Sequence, residues 1–145
     1  MRLTGSCHCG SVDYSLDWPE QAKCIPAREC SCTFCSRFGG TWTSHPDASL
    51  VINYPHDLKP GKYRFGTATA DFLFCGRCGI IVAALDENSG RPKAVVNIRT
   101  LHGDTPLPFE HSVSHFDGES TDDRLGRRSR NWIGHVQIVG GAPQR

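Results

Sequence analysis

The sequence predicts an all-β protein built from many short strands, and three observations support this fold class. Glycine supplies 15 and proline 9 of the 145 residues, a content that favours frequent turns over long helices. Residues 12–16 alternate apolar and polar side chains, which is the period of a half-buried strand. Apolar residues make up 38% of the chain, so we expect a single domain over 1–145 with a modest core.

Most of the strands can be placed in the first hundred residues. Two of them, at 3–7 and 11–16, flank a turn that contains Cys9 and Gly10. The segment 22–28 is ambiguous, because Pro26 restricts pairing to a sheet edge or an irregular stretch. Residues 32–38 are expected to contain one helical turn. Further strands are predicted at 41–44, 50–54, 62–65, 71–75, 80–85 and 94–101.

The C-terminal part of the chain gives weaker signals. Residues 109–116 form either a strand or an irregular segment, and 132–139 are expected to form a final strand. Residues 118–131 between them are polar and charged, without apolar periodicity. The tail at 140–145 is expected to fray. Four arginines in this part form a basic run that either binds an anionic ligand or partner or, as we expect, is a solvated, partly disordered face: Arg124, Arg127, Arg128 and Arg130.

Eight cysteines carry most of the information on cofactor and compartment. The sequence shows neither an apolar stretch long enough for a membrane span nor the N-terminal pattern of a signal peptide. We therefore expect a cytoplasmic protein whose thiols stay reduced. In such a compartment, closely spaced cysteines indicate a metal site more often than disulfides.

Two cysteine pairs predict a closed metal site. Cys75 and Cys78 are separated by two residues and followed by Gly79, a spacing that lets both sulfurs point to one ion. Such a knuckle supplies two of the four ligands of a tetrahedral zinc site, and Cys7 with Cys9 is the natural complement. This grouping would tie the first strands to the middle of the chain as a structural site.

The remaining cluster, Cys30, Cys32 and Cys35, predicts a second zinc site. Three protein ligands leave the fourth position of zinc open for water or substrate, as in catalytic sites. Another side chain of the sequence can instead fill that position, which would make the second site closed as well. The candidates for this fourth ligand are Cys24, His8 and His45. Outside such a role, Cys24 is expected to be an ordinary small buried residue.

The charge balance argues against nucleic acid as a partner. The formal net charge of +1 counts cysteines as neutral. With seven thiolates and two Zn²⁺ ions bound, it becomes about −2. Neither value gives a strong basic field. We therefore expect a small-molecule substrate, no membrane partner, and a monomer or homodimer.

In this layout the chain resembles a known family, the glutathione-dependent formaldehyde-activating enzymes with their centromere protein V relatives. The resemblance spans residues 3–117 and rests on three cysteine motifs that occur in the same order as in the family. These motifs are Gly5-Ser-Cys7-His-Cys9-Gly10-Ser-Val12, Cys30-x-Cys32-x-x-Cys35 and Cys75-x-x-Cys78-Gly79.

The resemblance implies an all-β fold of the Mss4-like, or β-tent, type with two zinc ions per chain. The structural zinc would lie on the four-cysteine group and a labile zinc on the three-cysteine group. The implied reaction joins glutathione and formaldehyde to S-hydroxymethylglutathione, or cleaves the carbon–sulfur bond in the reverse direction. The implied activity is therefore that of a carbon–sulfur lyase or synthase on a small thiol adduct, with glutathione as the candidate thiol.

The residues around the three-cysteine group suggest how such chemistry would proceed. A free thiol has a pKa near about 8.5, and binding to zinc lowers it enough to give thiolate at neutral pH. Arg37 is a candidate partner for a substrate carboxylate, because its planar fork suits that contact. Trp42 and Phe38 are candidates for an apolar wall, and His45 is a candidate proton carrier, because an unperturbed histidine side chain titrates near about pH 6.5.

Two other functions remain open on the sequence alone. The same scaffold can act on a different small molecule without glutathione, as a carbon–oxygen lyase, dehydratase or isomerase that uses zinc as a Lewis acid. Alternatively, the chain is a non-catalytic zinc-binding module with two closed sites, a reading that Cys24 favours as a possible fourth ligand.

Overall fold

The computed structural model describes residues 1–88 and 90–141 of the chain. Within them, eleven β-strands form two sheets, accompanied by one α-helix and two short 3-10 turns. The elements are β1 (Arg2–Ser6), β2 (Asp13–Asp17), β3 (Ile25–Cys30), β4 (Thr41–Thr43), β5 (Ser49–Tyr54), β6 (Gly61–Tyr63), β7 (Asp71–Phe74), β8 (Ile81–Asp86), β9 (Lys93–Asn97), β10 (Phe109–Ser114), α1 (Thr121–Asn131) and β11 (His135–Gly140).

The smaller sheet has four strands in the order β1-β2-β5-β11. The first three are antiparallel neighbours, whereas β11 lies parallel to β5. Leu16 pairs with Leu3 on one side and with Leu50 on the other, and all three side chains are buried. The alternation at 12–16 thus reflects a sheet with one apolar face on the core.

The larger sheet has seven strands in the order β10-β3-β4-β9-β8-β7-β6, antiparallel except for the β10–β3 pair. Strand β3 resolves the ambiguous segment: it pairs with β10 along its whole length but with β4 only at Arg28 and Glu29. Pro26 therefore lies where the β4 side of the strand has no partner among the described residues. Because that side of the strand has no partner there, the missing N–H of proline removes no hydrogen bond from the sheet.

The two central strands β8 and β9 separate two apolar clusters. Ala83 and Leu85 belong to the main core, which joins both sheets, whereas Ala84 between them belongs to a second cluster. Val95 and Val96 divide in the same way. Burial on both faces explains why 80–85 is the most apolar run in the sequence. The second cluster lies beside the functional residues described below.

The all-β prediction is confirmed for the described residues, but the prediction for the C-terminal basic run is wrong. Residues 121–131 form helix α1 and not a disordered face. Ser120 caps it by accepting a hydrogen bond from the Asp123 N–H at 3.1 Å, with acidic residues in the first turn and arginines in the last. Its buried residue is Arg128. The helix has no apolar periodicity because a charged side chain occupies its inward face.

The other C-terminal expectations have different outcomes. Residues 109–114 form strand β10, paired in parallel with β3. The last strand runs from His135 to Gly140, and the buried Trp132 and Ile133 precede it. Residues 142–145 of the expected tail lie outside the described residues. Among the helices that the structure describes, none has the length and apolar character needed to cross a membrane.

Candidate metal centres and active-site cavity

The first cysteine cluster brings together Cys7, Cys9, Cys75 and Cys78, as their spacing predicts, with all four sulfurs within 4.8 Å of one another. Cys9 Sγ lies 3.7 Å from Cys7 Sγ and 3.6 Å from Cys75 Sγ. A tetrahedron with Zn–S bonds of about 2.3 Å has edges of about 3.8 Å. The donor type and the spacing of the sulfurs therefore fit a tetrahedral metal ion such as zinc.

Backbone and side-chain groups hold these four thiols in place. The Val12 N–H donates to Cys7 Sγ and the Arg77 N–H to Cys75 Sγ, each at 3.3 Å. Gly79 adopts a φ of 81°, which closes the knuckle after the last cysteine. Ser11 Oγ lies 3.2 Å from Cys9 Sγ and accepts from Arg77 Nη1 at 3.0 Å. Partners of this kind orient metal ligands and fix their geometry.

The thiols of the four-cysteine cluster differ in acidity because their surroundings differ. Burial raises the pKa of Cys7 to about 12. The exposed Cys9 has its pKa lowered to about 6, chiefly by hydrogen bonding to the Ser11 side chain and backbone. A cation bound among these sulfurs would favour the deprotonated form of both thiols, because each ligand binds metal as thiolate.

The second cluster brings together Cys30, Cys32 and Cys35, also within 4.8 Å of one another. Cys30 ends strand β3, and Cys35 opens the 3-10 turn over Cys35–Arg37. The Cys35 N–H donates to Cys32 Sγ at 3.2 Å. Hydrogen bonding from Cys35 lowers the pKa of Cys30 to about 6, and the same bond with burial raises the pKa of Cys35.

None of the candidate fourth ligands joins this second cluster among the described residues. Cys24 instead donates to Glu110 Oε2 at 3.2 Å, and it is half-buried rather than part of the core. His45 stacks edge-on against Trp18 with ring centroids 5.8 Å apart, and His8 is exposed. The cluster thus offers three sulfurs and leaves a fourth direction without a protein ligand.

All three cysteines line a cavity of about 440 Å³. Five aromatic residues also line it, and Trp42 is one of them. Phe38 packs edge-on against Trp42 at 6.2 Å but is 40% exposed and does not line the cavity. The lining aromatic residues are Trp42, Phe65, Phe72, Phe116 and Trp132.

Arg37 and His45, the other two residues singled out from the sequence, do not line this cavity. Arg37 ends the 3-10 turn and is exposed. His45 Nδ1 accepts a hydrogen bond from the Asp47 N–H at 3.1 Å within its own turn. The structure therefore does not bring either side chain together with the three thiols.

The cavity also has a cationic wall, which the sequence does not place beside the three thiols. Four arginines line it: Arg28, Arg124, Arg127 and Arg128. Glu119 pairs with Arg124 at 3.3 Å and with Arg127 at 2.9 Å, and the Arg127 guanidinium lies 3.6 Å from the centre of the Phe116 ring. Asp86 pairs with Arg128 at 3.1 Å, with both side chains more than nine-tenths buried.

Both cysteine clusters lie in a region of the chain that matches a known protein family. The profile of the family described as glutathione-dependent formaldehyde-activating enzyme matches residues 2–116. The chain belongs to this family. The match contains every cysteine of both clusters, and the Mss4-like fold expected from the resemblance is confirmed.

A solved structure gives a second comparison. The crystal structure of a Rhodobacter sphaeroides protein from a structural genomics programme shares 30% sequence identity with this chain. The alignment covers 74% of this chain and 99% of that one, with a TM-score of 0.51. A search of curated proteins finds no significant match.

The boundary of the family match divides the cavity into two parts. All the thiols, the lining residue Trp42 and Arg28 lie inside the formaldehyde-activating region 2–116. Helix α1 with its three lining arginines lies beyond it. The thiols of the cavity therefore lie within the family match, whereas three of the four lining arginines lie outside it.

Proposed function

We propose that this protein is a zinc-dependent carbon–sulfur lyase or synthase that forms and cleaves a small thiol adduct of the S-hydroxymethylglutathione type. Two zinc ions per chain are proposed, one on each cysteine cluster. The observation that carries the proposal is the three-thiol cluster, which lacks a fourth protein ligand and faces a cavity large enough for a small substrate. Membership of the formaldehyde-activating family supports the same chemistry.

The four-cysteine cluster would hold the structural ion, and Cys30, Cys32 and Cys35 the second one. When bound there, zinc supplies a positive centre that favours the thiolate form of an incoming thiol at neutral pH. Because the clusters need reduced thiols, a reducing compartment such as the cytoplasm is the proposed site of action.

The chain's own residues bind and shield the reacting groups. Trp42 and Phe72 form an apolar wall beside the three thiols and would exclude water from the reacting carbonyl. In the synthase direction the substrate sulfur forms a bond to the carbonyl carbon, and the thiol proton ends on the carbonyl oxygen. In the lyase direction the carbon–sulfur bond breaks, and the hydroxyl proton returns to sulfur.

A second candidate function is favoured by the cationic wall. Four arginines around a cavity with five aromatic residues suit an anionic, partly apolar molecule. The same scaffold would then act on such a molecule as a carbon–oxygen lyase, dehydratase or isomerase, without glutathione. The two candidates differ in thiol dependence.

The proposed function is tested by following the exchange of formaldehyde between its hydrate and S-hydroxymethylglutathione by NMR. Zinc-loaded protein is expected to accelerate this exchange, and the Cys32→Ser variant is expected to lose the acceleration. Cys24→Ser is the matched control, because it removes a thiol that lies in neither cluster. Two bound zinc ions without any acceleration would contradict the proposal, and turnover of another substrate without thiol would support the second candidate.

A further inference from the structure

Arg28 differs from the other arginines of the cavity in its partners. Its Nη1 donates to Ser44 Oγ at 2.8 Å, and that hydroxyl donates to the Asn131 carbonyl at 2.6 Å. Among the described residues, no carboxylate forms an ion pair with Arg28. A guanidinium carries five N–H donors in a planar fork, so most of those of Arg28 remain for a ligand.

The neighbouring arginines already have carboxylate partners. Glu119 pairs with Arg124 and Arg127, and Asp86 pairs with Arg128. Even so, the Arg128 Nε is buried and no described residue accepts a hydrogen bond from it. Two carboxylates thus pair with three of the four arginines, Arg28 is the one without a carboxylate partner among the described residues, and Arg128 has an unused buried donor.

Strand geometry places Arg28 close to the thiols. Arg28 and Cys30 are two residues apart on β3, so their side chains project from the same face, and both line the cavity. Two residues of a strand span about 6.6 Å. An anion on Arg28 and a carbonyl beside the thiols would then be separated by only a few bonds of one small molecule.

The apolar part of such a molecule also has a surface to contact. Arg28 and Trp42 are directly opposite each other in the β3–β4 pair, which places their side chains on one face. Trp132 lines the cavity as well, with its ring centre 4.8 Å from the Arg128 guanidinium. Trp42 therefore lies beside Arg28, and Trp132 adds a second planar apolar surface to the same cavity.

We propose that this enzyme accepts, besides formaldehyde, a small apolar or aromatic oxo acid as carbonyl substrate, whose carboxylate binds Arg28 and whose body packs on Trp42 and Trp132. The identity of the reaction rests on the proposed function, whereas the carboxylate site does not. Addition of the thiol forms the carbon–sulfur bond at the oxo carbon and moves the thiol proton to its oxygen. Formaldehyde, which has no carboxylate, would leave Arg28 without a ligand.

Arg28 and Arg127 differ in the groups that neutralise them. Arg127 pairs with Glu119, whereas the side-chain partner of Arg28 among the described residues is a neutral hydroxyl. A half-buried cation without a counter-charge is costly unless a ligand supplies one. The position of Arg28 therefore points to the substrate.

The carboxylate site is tested by calorimetric titration of the zinc-loaded full chain with benzoate and with the uncharged, isosteric benzamide. We expect benzoate to bind at least about tenfold more tightly, because a charge-assisted, bidentate contact contributes more than a neutral one. Arg28→Gln should remove this preference, and Arg28→Lys should retain part of it. Arg130 is an exposed residue of helix α1, so the control variant Arg130→Gln should leave the preference for benzoate unchanged.

Two results would overturn the proposal. The first is wild-type protein that binds benzoate no more tightly than benzamide. Failure of both compounds to bind counts as the same result. This comparison needs no variant, so a folding defect of Arg28→Gln cannot obscure it. The second is an Arg28→Gln protein with normal zinc content that keeps the full preference for benzoate.

A competition experiment shows whether the carboxylate that binds Arg28 belongs to the oxo acid or to glutathione. S-methylglutathione carries the carboxylates of glutathione but no free thiol. We expect it to leave benzoate binding unchanged, because the Arg28 site belongs to the oxo acid. Displacement of benzoate would assign the site to glutathione and overturn the oxo-acid proposal. Since these titrations involve no turnover, a failed lyase assay would leave their result standing.

Discussion

The two cysteine clusters use the same ligand type for different purposes, and their positions in the fold show why. The four-thiol cluster joins residues that are 66 positions apart, such as Cys9 and Cys75, and so connects the two sheets. The three-thiol cluster comes from a single segment of six residues and closes no long loop. It faces a cavity instead of the protein interior. A metal ion in the first cluster would therefore hold the chain together, whereas one in the second would be free to act on a ligand.

The largest expected effect comes from Cys75→Ser in the four-thiol cluster. Zinc contributes on the order of 10 kcal/mol to the folding of small zinc domains, and a missing ligand removes much of that stabilisation. The free energy of unfolding should fall by several kcal/mol, or the protein should fail to fold. Denaturant unfolding with circular dichroism measures this change. A variant with wild-type stability and zinc content would show that the four-thiol cluster does not have a structural role.

The next largest effect is expected from Asp86→Asn, which alters the cavity wall without touching either cluster. Arg128 would remain buried without a counter-charge, a change that typically costs about 3–5 kcal/mol. Denaturant unfolding should show this loss, while the zinc of the four-thiol cluster should remain bound. A destabilisation below about 1 kcal/mol would show that the buried pair does not anchor helix α1.

The stability difference between wild type and Asp86→Asn should also depend on pH. Burial acts to raise the pKa of Asp86, but hydrogen bonds from Asn88 and Arg128 outweigh it and hold the pKa below its ordinary value of 3.8. The folded pKa is depressed, so the stabilisation is complete above about pH 4 and is lost as the pH falls toward the folded value. Unfolding curves at several pH values should converge in acid. A constant difference would contradict this linkage.

Cys32→Ser should have a smaller effect on stability than either of these changes. The free energy of unfolding should change by about 1 kcal/mol or less, because no long loop is released. Zinc content should fall by one ion per chain, and activity by at least about a hundredfold, since several kcal/mol of transition-state stabilisation depend on the ion. Elemental analysis and the NMR exchange assay measure these two quantities. Collapse of the fold would mean that both clusters are structural.

The smallest effect is expected from Cys24→Ser. Cys24 bonds to Glu110 and belongs to neither cluster, so stability should change by no more than about 0.5 kcal/mol. Zinc content and the affinity of the second site should stay the same. A tenfold weaker second site would identify Cys24 as the missing fourth ligand and support the binding-module alternative.

The metal clusters could be predicted from the sequence because ligand spacing within each motif is a local property. The Cys30 to Cys35 segment forms its cluster within six residues, whereas Cys75-x-x-Cys78 supplies two ligands and needs a second cysteine pair to complete a tetrahedral site. The strands were predictable for a similar reason, since side-chain alternation is local. Segment 25–30 was the exception, because Pro26 obscured the strand pattern.

The cavity wall could not be predicted in this way. Helix α1 packs through Arg128 on Asp86, which is 42 positions away, and no apolar pattern marks that face. The Ser120 cap with acidic residues at the start and arginines at the end was the available signal. Arg37 was chosen for its sequence distance from Cys35, but the 3-10 turn leaves it exposed, whereas Arg28 shares a strand face with Cys30.

The proposed chemistry requires that the second cluster bind a zinc ion with one position open to a thiol. This requirement can be tested by zinc K-edge spectroscopy on protein with a known zinc content, with and without glutathione. We expect two zinc ions, one bound by four sulfurs and the other by three sulfurs and a light atom, with the light atom replaced by sulfur on addition of glutathione. Two zinc ions that already have four sulfurs each, and do not change with glutathione, would contradict this expectation.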